Sequence, residues 1–134
     1  MDNELLAQPA ETSDFVKEVT LNTCNGVSPY TVFTIMYDLG LVNTDGTPTV
    51  LALDNGLPDN MDLALLIGEA GVAREAMEAN HDMALVIAAK QARVEPHSKQ
   101  WTTYQCGLDH ERRNVMDFGA SYEQRFTKAY NMIH

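Results

Sequence analysis

Aromatic and basic side chains alternate in the C-terminal part of the chain, between residues 85 and 134. Six of the ten aromatic residues of the protein lie there. Aromatic faces stack on the bases of single strands, while lysine and arginine neutralise the phosphates. This pattern predicts a binding site for single-stranded nucleic acid without strong sequence preference. The residues that we expect to form it are Lys99, Trp101, Tyr104, Arg112, Arg113, Arg125 and Lys128.

Some of these aromatics have a second interpretation. Tyr122, Phe126, Ala129 and Ile133 recur at helical spacing, which is more typical of a core or an oligomer interface than of a base-stacking surface. Trp101, Tyr104 and the Arg112–Arg113 pair fall outside that stripe, so the nucleic-acid hypothesis depends mainly on them.

The distribution of charge favours the same part of the chain. The net charge is −10, but residues 1–84 hold two basic against fourteen acidic side chains, whereas residues 85–134 hold seven against five. Such an asymmetry indicates an anionic partner for the positive part, although chance clustering explains it equally well. The acidic part would then face a protein partner. An acidic surface that imitates the phosphates of DNA, or a virion or structural protein, is the alternative class.

Signatures of catalysis or metal binding do not occur. The four histidines share no ligand spacing, and His110-Glu-Arg-Arg-Asn114 lacks the second histidine of a zinc-protease helix. No serine, cysteine or lysine lies in a nucleophile motif, and no glycine-rich phosphate loop follows a strand. We therefore expect a non-enzymatic protein without metal or cofactor.

The expected location is the cytoplasm. No run of about 18 apolar residues could span a membrane, and the acidic start Met-Asp-Asn-Glu is unlike a signal peptide. Cys24 and Cys106 lie far apart and are interpreted as reduced, half-buried thiols.

Residues 18–42 have the pattern of two short helices joined by a turn. Ser28-Pro29 suits the start of the second helix, and Gly40 suits its end. With Gly26 in the turn and Val32 and Ile35 facing the first helix, the segment resembles a helix-turn-helix. The resemblance implies duplex DNA reading by Ser28, Tyr30, Thr31 and Thr34. No lysine or arginine lies between Val19 and Leu41, so a packing or dimerisation role is the favoured alternative.

The whole chain is expected to form a mainly α, single domain over residues 1–134, with five or six helices and at most one short β element. Residues 1–11 are predicted to be an arm, 12–42 the helix pair, and 85–134 the basic and aromatic half. Further helices are predicted from Asp59 or Asn60, over 83–94, from Asp109 to Phe118, and from Ser121 to Ile133. Residues 49–53 fit a strand or a helical turn, and residues 97–106 fit a loop.

Three details of this prediction concern packing. Gly68 and Gly71 should either break the helix that follows Asn60 or mark a close helix crossing. The apolar helix 83–94 should be the most buried one. The apolar stripe of the last helix should be partly uncovered, which predicts a homo-oligomer. The combined prediction is a small accessory or transcription-regulatory protein that binds single-stranded DNA, of a kind that analogy associates with phages.

Overall fold

The computed structural model describes residues 9–134, and the expected mainly α fold is confirmed. Within these residues the chain is 75% helical and forms five α-helices. They are α1 (Asp14–Thr23), α2 (Pro29–Asp38), α3 (Val50–Asp54), α4 (Met61–Gln91) and α5 (Lys99–Ile133), preceded by a 3₁₀ turn at Ala10–Thr12. One isolated antiparallel bridge, between Val42 and Pro48, is the β element found in the described part. Residues 1–8 of the predicted arm lie outside it.

The chain divides into two compact units. Unit 1 comprises the residues up to Val72 together with Tyr122–His134, and unit 2 comprises Ala73–Ser121. The first contains α1, α2 and α3 with the start of α4 and the end of α5. The second contains the remaining parts of α4 and α5.

The helix pair in unit 1 forms where its capping residues predict it. The Ser13 hydroxyl accepts a hydrogen bond from the Val16 amide at the start of α1 (3.1 Å). Ser28 caps α2 in the same way, with Pro29 at the first helical position. Gly40 has φ = +81° just beyond α2, and the Leu41 amide donates to the Met36 carbonyl (2.8 Å). This left-handed ending confirms the predicted stop.

Residues 49–53 form a helix rather than a strand. The Thr49 hydroxyl accepts from the Ala52 amide (3.3 Å) and donates to the Gly40 carbonyl (2.7 Å). The first bond caps α3, and the second holds its start beside the end of α2. The helical alternative is therefore the correct one.

The core of unit 1 is built from all of its helices. Its largest fully buried side chains include Val16, Val19, Ile35, Met36 and Leu63. The stripe on the end of α5 joins this core: Ala129 and Ile133 are buried, and Tyr122 and Phe126 pack against it. The stripe is thus covered within the chain, and our argument that it would be exposed for an oligomer was wrong.

Gly68 and Gly71 do not interrupt α4. A Cβ at Gly68 would lie 2.6 Å from the Thr23 Cβ, and one at Gly71 would lie 3.1 Å from Val27 Cγ1. Both glycines permit α4 to approach the end of α1 and the turn that follows it. The alternative of a close crossing was correct, and the break was wrong.

The predicted boundaries between residues 82 and 121 were also wrong. One helix, α4, runs through the supposed start at Asp82, and α5 replaces the predicted loop at 97–106, the short helix from Asp109 and the separate helix from Ser121. The helix begins earlier because Ser98 accepts from the Trp101 amide (3.1 Å). Gly119 lies inside the helix and does not end it. A Cβ at this position would lie 3.3 Å from Met77 Sδ of α4, so the glycine allows the two helices to pack closely.

Unit 2 is an antiparallel helical hairpin with a thin interior. The Asn80 side chain accepts a hydrogen bond from Asn114 (3.1 Å), and the Gln91 side chain donates one to Gln105 (2.9 Å). Later residues of α4 thus contact earlier residues of α5, which makes the two helices antiparallel. Ala73, Ala84 and Leu108 are its buried apolar residues. The expectation that 83–94 would be the most buried helix was wrong, because α5 covers only one side of it.

Candidate binding surfaces

The seven residues predicted to bind nucleic acid all lie on α5, but they do not form one site. Within unit 2 alone, the helix rises about 21 Å from Lys99 to Arg113 at about 1.5 Å per residue. Five of the seven belong to unit 2, whereas Arg125 and Lys128 belong to unit 1. Their spacing follows from one continuous helix, which the sequence did not predict.

Trp101 and Tyr104 lie on the side of α5 that packs against α4. Both are half-buried, and the Trp101 carbonyl accepts a hydrogen bond from the Gln91 side chain (3.3 Å). The Trp101 ring also contacts the His97 ring, with centroids 4.8 Å apart and planes inclined by 51°. Both aromatics lie outside the stripe of Tyr122, Phe126, Ala129 and Ile133, but neither is fully exposed, so only part of each side chain reaches solvent.

Arg112 and Arg113 are both exposed. Arg112 borders an apolar groove of about 470 Å³ with Leu85, Leu108 and Met116. Arg113 donates from Nε to the Asp109 carbonyl at a long 3.5 Å. Consecutive residues of a helix point about 100° apart, so the pair does not clamp one phosphate.

Arg125 and Lys128 line a small polar depression in unit 1. Its volume is about 150 Å³, and Glu69 and Gln124 complete its wall. Arg125 Nε lies 3.7 Å from a Glu69 carboxylate oxygen, a loose ion pair. Two cations beside a carboxylate give this place less positive potential than their number alone indicates.

The end of the hairpin collects positive charge that the sequence analysis did not assign. We call residues 83–108 the hairpin tip and residues 73–82 with 109–121 the hairpin root. The tip holds Lys90, Arg93 and Lys99 against Glu95 alone, whereas the root holds three basic and six acidic side chains. Lys90 and Arg93 were missed because nothing in the sequence shows that α4 turns back beside Lys99.

A second surface lies on unit 1 around α3. We call it the α3 surface, and its members are exposed: Asp38, Val50, Leu53, Asp54, Asp59 and Asp62. Val50 and Leu53 are 73% and 56% exposed, which is unusual for large apolar side chains so close together. Val50, Leu53 and Asp54 belong to α3, whose start is hydrogen-bonded to Gly40 just beyond Asp38, and Asp59 and Asp62 lie in the segment that leads from α3 into α4.

Hydrogen bonds hold the backbone of the α3 surface in place. Asn60 donates to the Asn55 carbonyl (2.8 Å) and accepts from the Leu63 amide at the start of α4 (3.2 Å). Asn22 reaches across from α1 to the Pro58 carbonyl (2.7 Å). Side-chain hydrogen bonds therefore hold the segment between α3 and α4 against α1 and fix its ends at α3 and α4.

Acidic side chains dominate unit 1 as a whole. Its described residues, 9–72 and 122–134, contain ten acidic and three basic side chains, and no lysine or arginine lies between Lys17 and Arg74. In the turn between α2 and α3, Asp45 accepts hydrogen bonds from the Thr47 hydroxyl (2.6 Å) and amide (3.0 Å), which lower the pKa of its carboxyl group. At neutral pH this carboxylate is charged.

The helix pair offers little to duplex DNA. Thr31, expected to be exposed, is buried; a Cβ at Gly71 would lie 3.4 Å from Thr31 Cγ2. The solvent side of α2 carries Tyr30, Tyr37 and Asp38, without a cation. Phosphate neutralisation supplies most non-specific affinity for DNA, so the pair is better suited to packing.

Metal-ligand clusters and membrane-spanning helices are not found among residues 9–134. No group of three metal-ligating side chains occurs there, and no helix is long and apolar enough to cross a membrane. Cys24 and Cys106 are free thiols, as predicted, but exposed rather than half-buried. No protein-family model, curated protein or solved structure matches the chain. The surfaces themselves are therefore the basis for a functional assignment.

Proposed function

We propose that the protein is a non-enzymatic binding protein whose α3 surface docks on a basic surface of another protein. The observation that carries the proposal is the combination of exposed Val50 and Leu53 with four exposed carboxylates on a hydrogen-bonded scaffold. Aliphatic side chains supply contact area, and the carboxylates select a partner of opposite charge. The partner chemistry is that of a protein groove that otherwise binds phosphates.

Long-range attraction strengthens this preference. Unit 1 carries a large excess of negative charge, and charges of one sign raise the rate of encounter with a positive surface. The effect extends about 10 Å at 0.1 M salt. Association should therefore slow as salt increases, whereas the aliphatic contacts should persist.

A displacement assay tests the proposal. A fluorescent DNA duplex bound to a basic, sequence-neutral duplex-binding protein serves as the probe, and wild type is expected to release the duplex as its concentration rises. Asp54→Asn, Asp59→Asn and Asp62→Asn combined should weaken this release by roughly tenfold or more, because three charge pairs at about 0.5–1 kcal/mol each are lost.

The control removes the same charge elsewhere. Asp14→Asn, Glu18→Gln and Glu123→Gln lie at exposed positions of unit 1 that do not belong to the α3 surface, and they change the net charge by the same amount. Release by this variant should match wild type. Equal weakening in both variants would show that total charge, and not the α3 surface, drives displacement, and the proposal would fail.

A second candidate is single-strand binding at the hairpin tip. The observation that favours it is the ring pair of His97 and Trp101 beside Lys90, Arg93 and Lys99, in a region with one acidic residue. A base could stack on the exposed part of these rings while the cations contact phosphates. Of the residues expected from the sequence, Lys99 and Trp101 would contribute most.

Tryptophan fluorescence provides the test, since Trp101 is the single tryptophan. A single-stranded oligonucleotide should quench it, with affinity falling about 0.7 log units per tenfold salt for each phosphate neutralised. Lys90→Ala with Lys99→Ala should flatten that slope, whereas Lys17→Ala with Lys128→Ala should not. A gel shift with single-stranded and duplex DNA separates this candidate from the first: a protein that binds neither cannot be a single-strand binder.

A further inference from the structure

The part of α4 in unit 2 is apolar on more sides than α5 covers. The side of this part of α4 that packs against α5 is formed by Asn80, Ala84, Ile87 and Gln91. Met83, Leu85 and Val86 are nevertheless 50%, 58% and 48% exposed. A helix with apolar side chains all round is normally buried.

One exposed face of α4 carries apolar side chains between an acidic residue and a basic residue. We call it the α4 stripe, and its members are Ala79, Asp82, Met83, Val86 and Lys90, all exposed. Val86 lies midway between Asp82 and Lys90, four residues from each. Such i, i+4 neighbours occupy one face of a helix.

We infer that the α4 stripe is a homodimer interface in which two copies of the protein pair α4 with α4 in antiparallel orientation. With Val86 on the two-fold axis, Asp82 of each copy faces Lys90 of the other. The same register places Met83 opposite Ala89 of the second copy, a large residue against a small one. A two-fold interface must be self-complementary in this way.

Charge identifies the second copy as the occupant. An antiparallel partner brings the basic hairpin tip of one copy beside the acidic hairpin root of the other, at both ends of the interface. The tip has a balance of +2 and the root of −3 from the charged side chains given above. A partner of uniform charge would be repelled at one of the two ends.

The charged pair cannot form within one chain. Asp82 and Lys90 are eight residues apart on one helix, which separates them by about 12 Å. Any energetic coupling between them therefore requires contact between two molecules. This property makes the pair a specific probe of the interface.

Light scattering tests the dimer. At about 50 µM, wild type should give a mass near twice 14.9 kDa. Val86→Gln should give a monomer, since two buried aliphatic contacts become polar at the axis. Leu21→Gln, on an apolar residue of unit 1 that is more exposed than Val86, should stay dimeric. Because both residues are exposed in the single chain, far-UV circular dichroism should be unchanged in either variant.

Charge reversal tests the register. Asp82→Lys alone and Lys90→Asp alone should each weaken dimerisation by roughly tenfold, because two attractive pairs of the interface become repulsive. The two reversals together should restore the dimer. A disulfide between Val86→Cys residues, formed after Cys24→Ser and Cys106→Ser, should link two copies under mild oxidation.

Three results would overturn the inference. The first is a wild-type monomer at 50 µM. The second is a dimer that Leu85→Gln dissociates and Val86→Gln does not, which would assign the interface to the groove beside Arg112. The third is a variant with both charge reversals that dimerises no more strongly than either single reversal, which would rule out the antiparallel register.

Discussion

Helix α4 packs closely against the end of α1 at Gly68, and an added methyl group there has a calculable cost. The Cβ of Gly68→Ala would lie 2.6 Å from the Thr23 Cβ, and the Asn25 side chain would be closer still. The amide end of Asn25 can rotate away. Thr23 cannot, because it is buried and its hydroxyl donates to the Thr20 carbonyl (2.6 Å). The backbone of one helix must therefore move.

Gly107→Ala supplies the matched comparison. Its Cβ would lie 3.4 Å from a terminal methyl of Ile87, an ordinary contact. Both substitutions gain about 1 kcal/mol of helix propensity, so that gain cancels in the difference between them. Overpacking costs about 1–3 kcal/mol. Gly68→Ala should therefore be less stable than Gly107→Ala by about 1–3 kcal/mol.

Urea unfolding followed by far-UV circular dichroism measures the difference. Gly107→Ala should be slightly more stable than wild type and Gly68→Ala equal or less stable. Gly71→Ala should fall between them, since its nearest atom is Val27 Cγ1 at 3.1 Å. If Gly68→Ala were as stable as Gly107→Ala, α4 would not approach Thr23 as closely as the structure has it.

Further expected outcomes concern the helix ends and one carboxylate. Gly40→Val should destabilise the protein by about 1 kcal/mol or more, because a β-branched residue disfavours φ = +81°, and Gly40→Asn should cost less. Ser28→Ala should cost about 1 kcal/mol in thermal unfolding through loss of the α2 cap. In an NMR titration Asp45 should have a pKa below its ordinary 3.8, and Thr47→Val should raise it. Because the folded pKa is the lower one, Asp45 contributes stability above pH 3.8 and loses it as pH falls through the folded value.

Capping explains which helices the sequence could predict. At α2 a side-chain cap, a proline and a left-handed glycine coincide, and α1 starts at the side-chain cap of Ser13; both helices form where expected. Ser121 with Gln124 has the same local pattern, yet both lie inside α5. A capping box favours a helix start only where the chain before it is not helical. The chain before Ser121 is helical because Gly107 and Gly119 pack against α4, so α5 is one long helix.

The candidate sites were harder to predict than the helices. Composition indicated an acidic and a basic part of the chain, but the basic side chains of residues 85–134 are spread along α5 and the end of α4 and do not form one site. It could not show that Trp101 and Tyr104 face α4, because the side of a helix that packs is fixed by its partner helix. For the same reason Val50 and Leu53 gave no sign in the sequence that they would be left exposed.

The two proposals reinforce each other. A two-fold dimer carries two α3 surfaces, so a partner with two basic sites can be held at both, and the second contact forms at high effective concentration. In the same dimer the acidic hairpin root of one copy neutralises the basic tip of the other, which lowers the attraction of the tip for phosphates. Self-association thus favours protein binding over single-strand binding. If the hairpin tip stays bound to the second copy, addition of a single-stranded oligonucleotide should leave two protein chains in each particle. If the oligonucleotide competes with the second copy for the tip, it should produce monomers.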